Sequence, residues 1–259
     1  MQAERPIGEL LRQWRRQRGL SQLDLAIQAD VSPRHVSFVE TGRTIPSRPM
    51  VLRLAEHLGV PLRERNRLLV AAGHAPVYAQ RALDDPDLAK AREALDRLLE
   101  AHEPFPALVL DRRWNLVLAN PAARVFFDGA DPEVLEPEIN MMRLGLHPKG
   151  LAPRIRNLEE VRGFLLPRLA RQVAATGDPS LSDLYAELAE FGGGDFPAPD
   201  PSDVVLRIHI THRGEELRLF NTVTTFGAAF DITLEELIIE TYFPADDHTR
   251  RTLLKTATA

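Results

Sequence analysis

Residues 20–47 read LSQLDLAIQADVSPRHVSFVETGRTIPS, and this stretch decides the fold of the first part of the chain. It holds two short helical patterns, QLDLAIQA and PRHVSFVE, which follow Ser21 and Ser32. A serine hydroxyl accepts a hydrogen bond from an amide that the first helical turn leaves without a partner, so each serine is a favourable N-cap. Pro33 then occupies the first helical position, where its missing amide hydrogen costs nothing. The stretch therefore predicts two helices with a tight turn between them.

Apolar residues recur at helical spacing in both patterns, at Leu25, Ala26 and Ala29 and again at Val36 and Val39. Two helices this short cannot bury much apolar surface alone, so we expect them to pack across each other at the turn. That arrangement is a helix-turn-helix, whose second helix enters the major groove of DNA. The pattern therefore predicts a DNA-binding module.

The region from about Ile7 to Leu69 also resembles the phage-repressor-like (XRE) helix-turn-helix family. The family implies five helices, the first being IGELLRQWRRQRG, which ends at Gly19. One departure is Asp30, where the family usually has glycine, and a left-handed aspartate costs on the order of 1 kcal/mol. The motif positions that carry the resemblance are Ser21, Gln22, Leu25, Ala26, Ala29, Val31, Ser32, Val36, Glu40, Gly42, Arg43, Pro46 and Ser47.

The resemblance implies which residues meet DNA. Pro33, Arg34 and Ser37 on the second helix would face the bases. Phosphate would be met by Gln22, at the start of the preceding helix, and by Arg43 and Thr44, in the loop that follows the second helix. The resemblance further implies a buried ion pair between Arg15 and Glu40, whereas His35 and Phe38 stay open between DNA contact and packing. The expected DNA-binding residues are Gln22, Ser32, Pro33, Arg34, Ser37, Arg43 and Thr44.

The distribution of charge supports a division of the chain. The whole protein carries a net charge of −5, which alone argues against nucleic-acid binding. Residues 1–73 nevertheless hold twelve arginines and seven acidic residues, a net of +5, while residues 74–259 hold 20 basic and 30 acidic residues, a net of −10. A basic module joined to an acidic one is typical of a DNA-binding domain followed by a domain that stays off DNA.

Residues 74–87, which contain two prolines, are predicted to be a linker, and residues 88–259 a second domain. Two strand patterns at 106–111 and 114–120 form a hairpin, a helical middle follows, and a glycine- and proline-rich loop begins at Gly192. Three strand patterns at 204–212, 216–227 and 234–244 end the domain. The layout predicts an α+β PAS-like domain with a five-stranded antiparallel sheet and helices over one face, after an all-α five-helix domain.

Four blocks of the second domain, DRRWNLVLANPAA, NMMRLGLHP, LRLFNTVTTFG and IETYFPAD, resemble XRE-type regulators with a C-terminal MmyB-like ligand-binding domain. The family implies a bacterial transcription regulator that senses a small apolar molecule, with a fatty acid as the leading candidate. The expected ligand-binding residues are Trp114, Phe126, Phe127, Met141, Met142, Arg143, Leu144, Phe164, Phe220 and Phe226; Leu146 and Phe230 are weaker candidates.

Other classes find little support in the sequence. The chain has no cysteine, no glycine-flanked nucleophilic serine, no phosphate-binding glycine loop and no HExxH pair, so we expect no catalysis, no required cofactor and no metal site. Asp246, Asp247 and His248 form a polar cluster near the end of the chain with no evident partner. No apolar run approaches the roughly 18 residues that span a membrane, and the first residues lack a signal-peptide core. These features predict a cytoplasmic, nucleoid-associated protein.

The sequence therefore favours a dimeric regulator that binds double-stranded DNA and a small apolar ligand. A helix-turn-helix module of this size contacts few bases, which favours a homodimer on a nearly palindromic site. One alternative is a DNA-binding interaction protein whose PAS-like domain only dimerises, without ligand. A second alternative, an enzyme fused to a DNA-binding domain, lacks any catalytic motif.

Overall fold

The computed structural model describes residues 6–192, 205–227 and 229–256, so the predicted glycine- and proline-rich loop after Gly192 lies outside the described residues. The chain forms two compact units. The helical unit comprises Met1–Asp85 together with Phe226–Glu235, and the sheet unit comprises Pro86–Thr225 together with Glu236–Ala259. Among the described residues, no helix combines the length and the apolar composition that crossing a bilayer requires.

The helical unit confirms the predicted five-helix domain. Its helices are α1 (Ile7–Gln17), α2 (Gln22–Gln28), α3 (Pro33–Glu40), α4 (Arg48–His57) and α5 (Leu62–Ala71). Apolar residues from all five meet in one core, which includes Leu11, Leu25, Val36, Leu54 and Leu68. The two helices predicted from residues 20–47 therefore bury their apolar faces against α1, α4 and α5.

Serine side chains cap the N-termini of α2 and α3, as the sequence predicts. The Ser21 hydroxyl accepts a hydrogen bond from the Asp24 amide at 3.1 Å, and the Asp24 carboxylate accepts one from the Ser21 amide at 2.8 Å. The Ser32 hydroxyl caps α3 by accepting from the His35 amide at 3.1 Å. In the turn between the helices, Asp30 has φ 51°, the left-handed conformation that the family's usual glycine adopts more easily.

A buried ion pair joins α1 to α3. The guanidinium of Arg15 binds both carboxylate oxygens of Glu40, with Nε to Oε1 at 2.6 Å and Nη2 to Oε2 at 2.9 Å. Arg15 also donates to the carbonyl of Leu20 at 2.7 Å, and the side-chain amide of Gln22 donates to Glu40 Oε2 at 2.8 Å. Burial alone would raise the pKa of Glu40, but the hydrogen bonds from Arg15 and Gln22 hold that pKa below its ordinary value.

Gly8 lies at a close approach between the same two helices. A Cβ at this position would lie 2.5 Å from the carbonyl oxygen of Val39 and 2.7 Å from that of Glu40. Both oxygens belong to the backbone of α3 and cannot move aside as a flexible side chain could. Glycine at position 8 therefore allows α1 to approach α3 closely enough for Arg15 to reach Glu40.

The connection between the fourth and fifth strands belongs to the helical unit. It includes the start of the short helix α11 (Ile232–Glu236). The amide of Ile232 donates to the carbonyl of Ala79 at 2.9 Å, Asp231 pairs with Arg81 at 2.9 Å, and the amide of Leu62 donates to Glu235 Oε2 at 2.7 Å. No hydrophobic pattern in the sequence signals this return of the chain to the helical unit.

The sheet unit contains the five-stranded antiparallel sheet that the sequence predicts. The strands are β1 (Ala107–Leu110), β2 (Leu116–Ala119), β3 (Arg207–His212), β4 (Glu215–Thr224) and β5 (Ile238–Pro244), in the order β2-β1-β5-β4-β3. The last strand in the chain therefore lies at the centre of the sheet. The helices are α6 (Ala89–Ala101), α7 (Arg124–Phe127), α8 (Met141–Leu146), α9 (Leu158–Thr176), α10 (Pro179–Glu190) and α12 (Asp247–Thr256).

The pleat of the sheet separates two sets of side chains. Leu217 and Leu219 of β4 are fully buried in the core of the unit, whereas Phe220 has the opposite parity and stacks on Phe243 with ring centroids 5.5 Å apart. His102, just after α6, packs edge-on against Phe243 at 4.9 Å. Because alternate residues point to opposite faces, the core lies on the Leu219 face and Phe220 lies on the other.

The polar cluster near the end of the chain begins a helix that the sequence analysis did not predict. The Asp246 carboxylate accepts a hydrogen bond from the amide of Thr249 at 2.7 Å, which is N-cap geometry for α12. His248 Nε2 lies 3.1 Å from Glu215 Oε2, so the cluster does have a partner. An aspartate followed by a ten-residue segment with a basic last turn was the available signal.

Gly8→Ala should destabilise the helical unit by about 1–3 kcal/mol, because the added methyl group overlaps backbone oxygens of α3. Hydrogen–deuterium exchange should show faster exchange of the α1 and α3 amides. Gly145→Ala is the matched control, since a Cβ there meets nothing within 4 Å. Gly145→Ala should leave the exchange rates of the α1 and α3 amides unchanged. Equal exchange rates of these amides in the two variants would contradict the close approach at Gly8.

Glu40→Gln should cost the helical unit about 3–5 kcal/mol, because it leaves the Arg15 charge without its partner. The pKa of Glu40 is lowered in the folded state, so its contribution is present above its ordinary pKa of 4.5 and is lost as the pH falls below that value. Urea unfolding at several pH values, followed by Trp14 fluorescence in a Trp114→Phe background, measures this. The wild-type protein should lose stability between neutral and acidic pH more steeply than Glu40→Gln, and identical pH profiles would contradict the assignment.

Candidate DNA-binding surface and ligand pocket

Helix α3 presents one face to solvent and buries the other. Val36, Val39 and Glu40 are buried, so the inward face is fixed by the core and by the ion pair with α1. Pro33 and Arg34 are exposed at the start of the helix. The expected base-contacting residues therefore lie where a groove of DNA could reach them, and Ser37, one turn later, is half-buried.

The loop after α3 carries the expected phosphate contacts. The amides of Arg43 and Thr44 both donate to the carbonyl of Phe38, at 2.8 Å and 3.3 Å, which ends the helix and folds the loop back towards it. Arg43 is exposed and Thr44 is half-buried. Gln22 begins α2, but its side-chain amide is engaged by Glu40 in this structure.

Two of the expected DNA contacts share one aromatic ring. The guanidinium of Arg34 lies 5.0 Å from the centre of the Phe38 ring, and that of Arg43 lies 5.6 Å from it. Phe38 is half-buried. His35 is half-buried, and its Nε2 is buried without a hydrogen-bond partner among the described residues.

In the sheet unit, a cavity of about 70 Å³ lies between the sheet and helices α8 and α9. It brings together five of the expected ligand-binding residues: Trp114, Phe126, Met141, Met142 and Phe164. Trp114 has φ 69°, and its carbonyl accepts from the Met141 amide at 2.8 Å, which ties the hairpin turn to the start of α8. The wall of the cavity is mainly apolar and aromatic, as is usual for small-molecule sites.

One end of the cavity is polar, and sequence reasoning did not find it. Arg168 of α9, Asn221 of β4 and Glu240 and Tyr242 of β5 all line it. The Tyr242 hydroxyl donates to Glu240 Oε2 at 2.7 Å, and burial raises the pKa of both groups. The Arg168 guanidinium lies 4.5 Å from the centre of the Trp114 ring. The available signal was a glutamate inside the apolar strand IIETYF at the same parity as Tyr242.

The remaining expected ligand residues lie elsewhere. Arg143 forms a bidentate pair with Glu187, each bond 2.7 Å long, and Leu144 is fully buried in the core. Phe127 packs against that core, and Phe220 lies on the opposite face of the sheet. Phe226 belongs to the helical unit. Of the weaker candidates, Leu146 is a core residue, and Phe230 is 83 % exposed.

A second, larger cavity of about 500 Å³ lies at α7, the β3–β4 turn and α12. Its lining includes Arg124, Asp128, His212 and Arg213, above a floor that includes the buried Leu253. Arg213 pairs with Asp128 at 3.2 Å, and burial lowers the pKa of His212. No pattern in the sequence pointed to this cavity.

Comparison with known proteins identifies both parts of the chain. Residues 6–68 match the family model of a helix-turn-helix domain, and residues 91–255 match that of the MmyB-like transcription regulator ligand binding domain. The comparison with curated proteins gives no match.

Two solved structures match this chain, one over part of its length and one over nearly all of it. The clp gene regulator ClgR from Corynebacterium glutamicum is 28 % identical over 38 % of this chain and 90 % of that chain, with a TM-score of 0.23. An RNA-binding Light-Oxygen-Voltage receptor is 15 % identical over 97 % of this chain and 63 % of that chain, with a TM-score of 0.28. Both TM-scores are too low to support an argument. The ligand-binding-domain model, by contrast, covers more than half of the chain, which therefore belongs to the MmyB-like transcription regulators and carries a helix-turn-helix domain for binding DNA.

Proposed function

We propose that this regulator binds a specific operator through α3 and that a small apolar ligand in the cavity beside α8 and α9 controls this binding. The observation that carries the DNA part is the exposed start of α3, held in place by the buried Arg15–Glu40 pair. The protein acts in the bacterial cytoplasm at the nucleoid, as a homodimer on a nearly palindromic site.

Arg34→Ala should weaken binding to the specific operator by about 1–3 kcal/mol and relax the preference at one base pair, because Arg34 is exposed at the start of the recognition helix. Arg43→Ala should weaken binding to all DNA about equally and flatten the salt dependence, because a loop arginine meets phosphate. Operators selected from random duplexes by the wild-type protein, and titrated at several salt concentrations, measure both effects.

Arg92→Ala is the matched control, since Arg92 lies in the sheet unit and pairs with Asp96. It should leave the affinity for operator unchanged. Equal loss on specific and random DNA for Arg34→Ala would mean that this residue meets only phosphate.

The apolar wall and polar end of the cavity support the ligand part. Methionine adapts to irregular shapes, and a guanidinium such as that of Arg168 binds carboxylates well. These residue types suit a medium- or long-chain fatty acid or a similarly apolar metabolite. A volume of about 70 Å³ is nevertheless well below the roughly 300–1,000 Å³ of ordinary ligand sites. Binding of an acyl chain therefore requires α8 or α9 to move away from the sheet.

A panel of saturated fatty acids should raise the melting temperature of the wild-type protein, because a ligand at 100 times its dissociation constant stabilises a fold by about 2.7 kcal/mol. Gly145→Leu should abolish this shift, since position 145 lines the small cavity and a Cβ there meets open space. Ala122→Leu, at the larger cavity, is the matched control and should keep the shift.

The opposite pattern, with the shift lost in Ala122→Leu alone, would place the ligand in the larger cavity. No shift with any fatty acid in the panel would contradict fatty-acid binding. The alternative, in which the sheet unit dimerises without ligand, needs no opening of the small cavity.

A further inference from the structure

Phe38 holds two arginines that the sequence places on the DNA-binding surface. Arg34 precedes Phe38 by four residues on α3, so both side chains lie on the same side of the helix. Arg43 approaches the ring from the loop that follows. The two guanidiniums lie 5.0 Å and 5.6 Å from the ring centre, within the range of a cation–π interaction.

The backbone of Phe38 fixes the same loop. Its carbonyl accepts hydrogen bonds from the amides of Arg43 and Thr44, so the backbone of Arg43 is held next to residue 38. Within residues 6–192, 205–227 and 229–256, neither Arg34 nor Arg43 forms an ion pair with a carboxylate. Both guanidiniums therefore share the aromatic ring as a contact on this surface.

We propose that Phe38 is a positioning residue for DNA recognition, which orders Arg34 and Arg43 before DNA arrives. This inference rests on the proposed function. A long arginine side chain loses rotamer freedom when it binds, and a side chain that is already held in place loses less. The chemistry is specific to an aromatic face, because an aliphatic side chain of similar size fills the space but does not attract a cation.

A direct role for the ring makes a different prediction. If Phe38 itself contacted a thymine methyl group, replacing it would weaken binding whether or not the two arginines were present. If Phe38 acts through the arginines, its replacement should have no further effect once they are removed. A double-mutant cycle separates the two cases.

The experiment titrates operator duplex, selected from random duplexes by the wild-type protein, with four variants. Phe38→Leu should bind operator about tenfold more weakly, and Phe38→Tyr should stay within about twofold of wild type because the ring remains. In an Arg34→Ala/Arg43→Ala background, adding Phe38→Leu should change the affinity by less than about twofold. The salt dependence should also become flatter in Phe38→Leu, although the substitution removes no charge, because a released Arg43 no longer meets phosphate.

Circular dichroism and thermal melting check that each variant is folded, and Phe38→Met replaces Phe38→Leu if the latter is not. The inference would be overturned if Phe38→Leu bound operator with wild-type affinity. It would also be overturned if Phe38→Leu still weakened operator binding about tenfold in the Arg34→Ala/Arg43→Ala background. Either result would leave the proposed function standing. Failure of the wild-type protein to select any duplex would instead overturn the proposed function itself.

Discussion

Two opposite charges buried between α1 and α3 set the position of the recognition helix. Burying either charge alone would cost several kcal/mol, so Arg15 and Glu40 stabilise the fold only when both helices hold them in bidentate contact. Gly8 permits that contact, because any larger residue would separate the helix backbones. The ion pair lies at the last residue of α3, and it also engages Gln22 at the start of α2. The orientation of α3 therefore depends on this buried network of side chains.

In the sheet unit, the corresponding constraint is that successive side chains of a strand point to opposite faces of the sheet. One face of β4 and β5 carries the apolar core and, further along the same strands, Asn221, Glu240 and Tyr242 at the cavity. The other face carries Phe220 and Phe243 against His102. A buried carboxyl is unfavourable unless it is hydrogen-bonded, and Tyr242 supplies that bond. Glu240 and Tyr242 share a face because they are two residues apart on β5, and the pairing of β5 with β4 places Asn221 opposite Tyr242.

The sequence predicts local structure well where single residues have a strong conformational role. Ser21 and Ser32 define two helix starts through hydrogen bonds within a few residues, and the structure has both bonds. Pro33 supports the second start because its backbone angle suits the first helical position. The five strands follow from short apolar segments, with alternation of apolar residues in β3 and in the first half of β4, which is another local property. Which aromatic residues meet at the cavity is not local, because it depends on strand register and helix docking. Phe220 was an expected ligand residue, but its position in the alternation of β4 places it on the other face of the sheet. Arg168 of α9 does line the cavity, although the sequence analysis did not single it out.

The return of residues 226–235 to the helical unit is also non-local, and it bears on the energy that regulation requires. β4 and β5 carry the polar residues of the cavity, and the segment that joins these strands is held by the backbone of Leu62 and Ala79 and by Arg81. A ligand changes DNA affinity only through a difference in its affinity for two states of the protein. A tenfold change in DNA affinity corresponds to about 1.4 kcal/mol of coupling, which is close to the net contribution of one or two hydrogen bonds. For the proposed regulation, this coupling is small compared with the roughly 3–5 kcal/mol that removing one partner of the Arg15–Glu40 pair costs. A ligand that altered DNA binding would therefore not need to break the contact between α1 and α3.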